Sequence, residues 1–152
     1  NGIPLLDSKG EYLYGETARD AMHGRLLRVL TLTGETMLSL QTVLHETSYK
    51  GFPVVTSSED MAVVGYIRRQ ILQRMIEVAL EEEAVRPDTP CIFSRSVCPA
   101  TGAWIDLSPY LDRSPTLIFD TTPFDRAVEM VRGLGLRYLL VTADGKLVGI
   151  IK

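Results

Sequence analysis

Two stretches of the chain carry the same order of apolar runs and turn residues. In the first, an apolar run at 51–56 is followed by a polar turn and a second apolar run at 63–67. In the second, the apolar runs at 137–142 and 147–151 flank Asp144-Gly145, a dipeptide typical of a tight turn. Each stretch therefore predicts a β-hairpin.

An amphipathic helix is predicted before each hairpin. Apolar residues recur there every three or four positions, at Met37, Leu40, Val43 and Leu44 in the first stretch and at Phe124, Ala127, Val128, Val131 and Leu134 in the second. For the second helix, Thr122 is the predicted N-cap and Pro123 the first helical residue. Gly133 and Gly135 are predicted to end it.

Adding the remaining elements gives a repeated unit. Short strands are predicted at 27–31 and 116–119, and a longer helix at 68–83 follows the first hairpin. The second hairpin is followed by no such helix, so this final helix is expected to be missing from the chain. We predict an α+β (α/β) fold of two strand–helix–strand–strand–helix units packed pseudo-symmetrically around a shared core.

The pattern also predicts where the units begin and end. We expect a lead-in segment at 1–22, a first module at 23–84, and a second module at 108–152. The stretch 85–107 contains three prolines and little periodicity, so it is predicted to be a partly mobile linker.

Composition narrows the function. The chain has 152 residues, 45% of them hydrophobic and 23% charged, and its net charge of −3 does not favour nucleic-acid binding. No apolar run approaches the roughly 20 residues of a membrane span. Because the chain begins without methionine and stops after a strand-like run, it is expected to be a piece of a longer protein.

No motif indicates catalysis, and we predict that the chain is not an enzyme. Gly133-Leu134-Gly135 follows a helix rather than a strand, so it is a helix stop and not a phosphate loop. His23 and His45 have no evident serine or cysteine partner for a catalytic triad. Cys91 and Cys98 are interpreted as reduced thiols, with a disulfide or a metal site as the alternatives.

The doubled unit resembles the pair of CBS domains found in many regulatory proteins. Four segments resemble more closely the cytosolic tail of eukaryotic CLC chloride channels and chloride/proton exchangers, namely 46–55 (ETSYKGFPVV), 64–69 (VGYIRR), 105–110 (IDLSPY) and 135–142 (GLRYLLVT). Residues 4–7 and 18–22 resemble the segment that leads from the membrane helices of such proteins into the first module. The resemblance covers nearly the whole chain.

The resemblance implies a regulatory domain at the cytosolic face of a plasma or intracellular membrane. The parent would be a homodimeric, voltage-gated membrane protein for ion transport, and its transmembrane domain, absent here, would carry chloride in a channel or by chloride/proton antiport. Some members of the family bind ATP, ADP or AMP between the two modules and others do not. The expected partners are therefore the transmembrane domain of the same chain, a second copy, and an adenine nucleotide.

The resemblance also places a nucleotide on the first module. Tyr49 would stack on adenine, and backbone groups of Arg28, Val29 and Leu30 would contact the edge of the base. The rest of this half-site is the loop and strand start that contain Lys50, Gly51, Phe52 and Pro53. Gly51 is interpreted as giving the ligand access to the backbone and Pro53 as fixing the turn. The alternative is that Tyr49 only covers the hydrophobic seam between modules.

The ribose-binding part of the family pattern is incomplete. Such modules often end the third strand with Gly-φ-φ-Thr/Ser-x-x-Asp, where φ is apolar. The first module has Ile71 at the Asp position, and the second has Lys152 where Thr or Ser is usual. At most one nucleotide per chain is expected, with Lys152 either meeting a phosphate or lying solvated at the surface.

Two other functions remain open. The pair could act without a ligand, as a structural or dimerisation module of the same transporter. It could also be a CBS pair from an unrelated host protein, although the segments at 49–55 and 105–110 count against that alternative.

Overall fold

The computed structural model describes residues 16–22, 28–97, 99 and 102–151, which form two compact units. The first unit comprises residues 28–114, and the second joins residues 16–22 to residues 115–151. Leu27, Cys98 and Lys152, with the histidine at 23 and the first fifteen residues, lie outside the described residues. None of the helices in the described ranges combines the length and apolar character that a membrane span requires.

The predicted elements follow one another in the order that the repeat predicts, and four short elements of the described residues are added before and between the hairpins. In chain order they are α1 (Ala18–Ala21), β1 (Leu30–Thr31), β2 (Glu35–Thr36), α2 (Met37–Glu46), β3 (Gly51–Val55), β4 (Val63–Arg68), α3 (Arg69–Ala79), β5 (Pro90–Ile92), β6 (Ile105–Asp106), β7 (Leu117–Phe119), α4 (Phe124–Leu134), β8 (Leu139–Ala143) and β9 (Lys146–Ile151). Short 3₁₀ turns occur at Arg95–Val97 and Ser108–Tyr110.

The first unit is built on a sheet with strand order β1-β3-β4. β1 runs parallel to β3, and β3 pairs antiparallel with β4, which confirms the first predicted hairpin. α2 begins where Thr36 accepts a hydrogen bond from the Ser39 N–H, a side-chain N-cap. α3 is shorter than the helix predicted at 68–83. Apolar side chains of both helices and the sheet form one core, which includes Leu30, Met37, Leu40, Phe52, Ile67, Leu72 and Ile76.

The stretch predicted as a linker also contributes to the first unit. β5 pairs with β2 and with β6 in a second three-stranded sheet, and Cys91, Ile92, Phe93 and Leu107 are buried. Burial, with a smaller effect from the charge of nearby Glu35, raises the pKa of the free Cys91 thiol to about 12. The segment therefore packs as part of a core, although its sequence has little periodicity.

Residues 108–114, which the sequence analysis assigns to the second module, also belong to the first unit. The physical reason is a pairing with the edge of β4. Tyr66 and Asp112 exchange two backbone hydrogen bonds of 2.9 and 2.8 Å. Gly65 on the same strand lies against Leu111 and the Asp112 carbonyl.

The second unit repeats the first in its strand pairing. β7 runs parallel to β8, and β8 and β9 form the second predicted hairpin. Its turn residues Asp144 and Gly145 have φ of 51° and 78°, the left-handed geometry that favours an Asp-Gly dipeptide. Val54 lies opposite Gly65 and Val141 opposite Gly149, and each ladder shifts register directly after that pair. The internal repeat is therefore confirmed down to the position of the irregularity.

The start of α4 differs from the prediction. The cap position falls at Pro123, whose carbonyl accepts the N–H groups of Arg126 and Ala127, and not at Thr122. Thr122 belongs to the preceding turn, because its N–H bonds to the carbonyl of Phe119. At the other end, Gly135 takes the left-handed conformation (φ 62°) and ends the helix as predicted, whereas Gly133 lies inside it.

A short strap crosses the start of α4 in the second unit. It consists of residues 16–19, and it makes backbone hydrogen bonds of 2.7 to 3.0 Å with Asp120, Thr122 and Phe124. An ion pair of 2.7 Å joins Arg19 to Asp120. In the first unit, the residues just before β5 bond in a similar way to the start of α2, where the N–H groups of Met37 and Leu38 donate to the carbonyls of Thr89 and Pro87. In each repeat, the start of the helix that follows the first strand is thus hydrogen-bonded to a segment from outside that repeat.

Candidate functional site

The nucleotide-contacting residues predicted in the first module meet at one edge of its sheet. β1 and β3 are parallel neighbours in a register that sets Leu30 beside Val54. Arg28 and Val29 come directly before β1, and the stretch 51–53 begins β3. Both segments therefore lie at the amino-terminal edge of their strands, next to each other. The structure brings together the residues that the sequence analysis assigns to this half-site.

Tyr49 lies at the same edge, in the loop of residues 47–50 between α2 and β3, here called the Tyr49 loop. Its half-buried side chain packs against the core of the first unit. The Tyr49 and Phe52 rings meet edge to face, with centroids 6.2 Å apart and planes inclined by 73°. Arg28 is held near the end of α2 by a 3.0 Å ion pair with Glu46, in which both side chains are about half exposed. Tyr49 is thus anchored on one side by the core while part of its surface stays in contact with solvent.

The structure gives Gly51 a different role from the one predicted. A Cβ at this position would lie 2.5 Å from Cε2 and Cζ of Tyr66 and would also contact its hydroxyl oxygen. Tyr66 is only 6% exposed, and burial raises its pKa to about 12 despite the opposing charge of Arg68. The space beside Gly51 is therefore filled by a ring from the neighbouring strand. A glycine is required here for packing within the sheet.

The other predicted contacts differ in what they can offer a ligand. Phe52 is fully buried and Pro53 is buried, so their side chains belong to the protein interior. Proline has no N–H to donate. The Lys50 side chain is exposed, and its carbonyl accepts a 2.8 Å hydrogen bond from the Arg69 N–H. Lys50 can therefore offer its charge to an anion at this edge.

Arg69 is a functional candidate that the sequence analysis missed. Its guanidinium donates to the carbonyl of Leu44, to the carbonyl of Tyr49 at 3.2 Å and to Thr47 Oγ1 at 3.3 Å. It thus ties the end of α2 to the Tyr49 loop. In the sequence, Arg69 is an unspecified position of the family pattern, and its contact with Leu44 spans 25 residues. No local periodicity could have indicated that contact.

The remaining residues of the family pattern give the site no acidic group. Ile71 is half-buried in α3 and packs against the core of the first unit. Its hydrocarbon side chain cannot accept a hydrogen bond from a ribose hydroxyl. Lys152 lies outside the described residues. Among the described residues, no group of three His, Cys, Asp or Glu side chains is placed to hold a metal ion.

A cavity of about 500 Å³ opens beside β7 in the second unit. It is lined by β7 and the first turns of α4, including Phe119, Pro123, Arg126 and Met130. None of the predicted contact residues that the structure describes lines it. Leu117 and Phe119 on β7 are 46% and 70% exposed. The cavity is therefore lined mainly by apolar side chains, with Arg126 as a charged residue in its lining.

Solved structures with the same fold are CBS proteins. CBSX2 from Arabidopsis thaliana, a CBS-pair protein, matches with a TM-score of 0.60 at 20% identity, over 91% of this chain and 89% of that one. A structure of CBSX2 in complex with AMP matches with a TM-score of 0.59 at 22% identity, over 91% and 90% of the two chains. At this level of identity the likeness shows the fold. The chain has the fold of tandem CBS domain proteins, and the predicted fold class is confirmed.

Relatives in sequence identify the family. The chain is 40% identical to H(+)/Cl(-) exchange transporter 5 of Cavia porcellus and 36% identical to H(+)/Cl(-) exchange transporter 3 of Pongo abelii, each over 99% of its length. It spans about a fifth of the length of these relatives. No protein-family model matches the chain. Over nearly its whole length the chain is homologous to one part of CLC chloride/proton exchangers, which confirms the resemblance seen in its sequence.

Proposed function

We propose that this chain is the cytosolic regulatory domain of a CLC-type chloride/proton exchanger and that it binds an adenine nucleotide against Tyr49. The parent protein would be a homodimer whose transmembrane domain carries the ions, and this domain would have no catalytic role. The observation that carries the nucleotide proposal is the edge of the first sheet. There the parallel register of β1 and β3 gathers residues 28–30 and 50–53 beside a half-buried tyrosine.

The chemistry of this edge suits an adenine nucleotide. Main-chain groups just before β1 can pair with the edge of the base, and an aromatic ring can cover its face. Arg28 and Lys50 are exposed cations beside these groups, which favours a phosphate-bearing ligand. A structural relative, CBSX2, has been seen in complex with AMP, which supports the ligand class.

The nucleotide would act on transport by changing the balance between two states of the domain. A ligand shifts such a balance only by its difference in affinity for the two states. We therefore expect the parent exchanger to respond to nucleotide applied at its cytosolic side. A Tyr49→Ala exchanger should lose this response while it still transports chloride and protons.

Direct binding tests the proposal first. Calorimetric titrations of ATP, ADP and AMP are made into the purified chain and, in parallel, into the purified parent exchanger. We expect saturable binding of at least one nucleotide, with no more than one site per chain. The absence of binding in both samples would overturn the nucleotide proposal and leave the ligand-free structural function.

Tyr49→Ala is expected to weaken nucleotide binding about tenfold, because stacking of a base on an aromatic ring contributes about 1–3 kcal/mol. Tyr49→Phe keeps the ring and should bind like the wild type. Tyr110→Ala is the matched control, since Tyr110 is an exposed tyrosine of the same unit outside the predicted contacts. Equal affinities for Tyr49→Ala and Tyr110→Ala would show that the Tyr49 ring does not contact the base.

Two observations favour the ligand-free alternative. Tyr49 packs on the core and on Phe52, and the half-site has Ile71 where an acidic residue would hold ribose. In that case the Tyr49 ring would serve to cover the apolar core, and the two CBS domains would have a structural function in the transporter. Tyr49→Ala would then lower the stability of the domain, and added nucleotide would change the stability of neither the variant nor the wild type.

A further inference from the structure

Arg69 makes an unusual number of contacts with one short stretch of chain. It is the first residue of α3, and its side chain crosses to the end of α2 and the Tyr49 loop. The guanidinium donates to two carbonyls and one hydroxyl, and the main-chain N–H donates to Lys50. A single residue thus bonds to four positions between residues 44 and 50.

These contacts satisfy groups that the end of a helix leaves open. The last carbonyls of an α-helix have no partner within the helix. At the end of α2, Thr47 donates to the carbonyl of Val43 at 2.7 Å, and Arg69 donates to that of Leu44. The same guanidinium reaches the carbonyl of Tyr49, because arginine carries five donors in a planar fork. The backbone of the Tyr49 loop is therefore fixed relative to α2 by one side chain.

We infer that Arg69 is the positioning residue of the Tyr49 loop, holding the tyrosine where it can cover an adenine base. The part of this inference that concerns the nucleotide rests on the proposed function. The part that concerns the loop rests on the hydrogen bonds alone. Arg69 acts without touching the ligand, since its guanidinium bonds to two carbonyls and one hydroxyl of the protein.

The test compares Arg69→Met with Arg69→Lys. Methionine keeps much of the length of the side chain and removes all of its charged donors. Lysine keeps the charge but ends in one compact ammonium group, which cannot hold two carbonyls and a hydroxyl as the planar fork does. Arg74→Met is the matched control, because Arg74 lies on the same helix, is largely exposed and has only a 3.9 Å contact with Glu77.

The first measurement is the rate at which chymotrypsin cleaves after Tyr49. The rate after Tyr110, in the same digestion, reports any general loss of stability. Release of the Tyr49 loop should speed cleavage after Tyr49 about tenfold in Arg69→Met and change the rate after Tyr110 less than about twofold, because cleavage follows local opening. Arg69→Lys should lie between, and Arg74→Met should match the wild type. If Arg69→Met does not fold, the cleavage rates of Arg69→Lys are compared with those of the wild type instead.

The second measurement is the affinity for ATP, ADP and AMP, which should fall about tenfold in Arg69→Met, as in a variant that lacks the Tyr49 ring. Equal acceleration of cleavage at both tyrosines would overturn the inference, because it would indicate a general structural role. Unchanged affinity in Arg69→Met would also overturn it, given a wild-type chain that binds. If the wild-type chain binds none of the three nucleotides, the proposed function fails, and the cleavage ratio alone decides whether Arg69 positions the loop.

Discussion

Replacing Phe93 by alanine is expected to lower the free energy of unfolding by about 3–5 kcal/mol, the usual range for a buried aromatic residue. Phe93 is fully buried and belongs to the main core of the first unit, although it lies in the stretch predicted as a linker. Its N–H also donates to the carbonyl of Leu32 at 3.1 Å. Truncation would remove apolar contacts and leave a cavity beside the first strand.

Chemical denaturation followed by circular dichroism measures this loss. Val97→Ala is the matched control, because Val97 lies in the same stretch, is 40% exposed and should change stability by less than about 0.5 kcal/mol. A loss below about 1 kcal/mol for Phe93→Ala would contradict the expectation. Residues 90–93 would then be a loosely attached connection.

Gly65→Ala is expected to destabilise the chain by about 1–3 kcal/mol, the range typical of overpacking in a close-packed interior. The new Cβ would lie 2.5 Å from the backbone oxygen of Asp112 and 2.7 Å from Cγ of Leu111. A backbone oxygen cannot rotate away as the end of a long side chain can. The substitution must therefore displace residues 111–112 and weaken the two hydrogen bonds between Tyr66 and Asp112.

Thermal unfolding of Gly65→Ala should be compared with that of Gly133→Ala. Gly133 lies inside α4, and apart from its chain neighbours and the backbone of its own helix no atom of the described residues would come within 4 Å of an added Cβ. Alanine there should raise stability by about 0.5–1 kcal/mol, because glycine is a poor residue in a helix interior. The two substitutions are thus expected to change the stability of the chain in opposite directions. An unchanged stability of Gly65→Ala would show that residues 111–112 are not closely packed against β4 in solution.

The elements that could be predicted from sequence are those defined by local periodicity. The strands of the two hairpins are short apolar runs separated by turn residues, and α2 and α4 repeat their apolar residues every three or four positions. The turn at Asp144-Gly145 and the helix end at Gly135 depend on residues that readily adopt positive φ. These features require information only from neighbouring residues.

The elements that were missed depend on distant pairing. β2 and β6 have two residues each and β5 has three, too few to show any period. Their existence depends on contacts such as Glu35 with Cys91, which no local pattern encodes. Thr122 is not the cap of α4, because its N–H bonds to the carbonyl of Phe119 in the preceding turn; its own carbonyl accepts the N–H of Ala18, about a hundred positions earlier in the chain.

The candidate site likewise combines features that the sequence indicated with features that depend on distant contacts. Family resemblance indicated the residues around Tyr49, and the register of β1 and β3 brings them together. The packing reason for a glycine at position 51 could not be predicted, because Tyr66 reaches it from another strand. Arg69 was missed because a guanidinium that bonds to backbone carbonyls leaves no signature in residue type or spacing.

The strap at residues 16–19 has a consequence for how the protein is made. The first unit is continuous in sequence, so all of its residues are available once the ribosome has released residue 114. The second unit is discontinuous, and Arg19 and Asp120 are 101 positions apart. At about 5–20 residues per second, roughly 5–20 s of synthesis separate the two partners. During that interval Ala18, fully buried in the finished protein, has no surface to pack against. The strap can therefore take its native position only after the whole of the first unit has been synthesised.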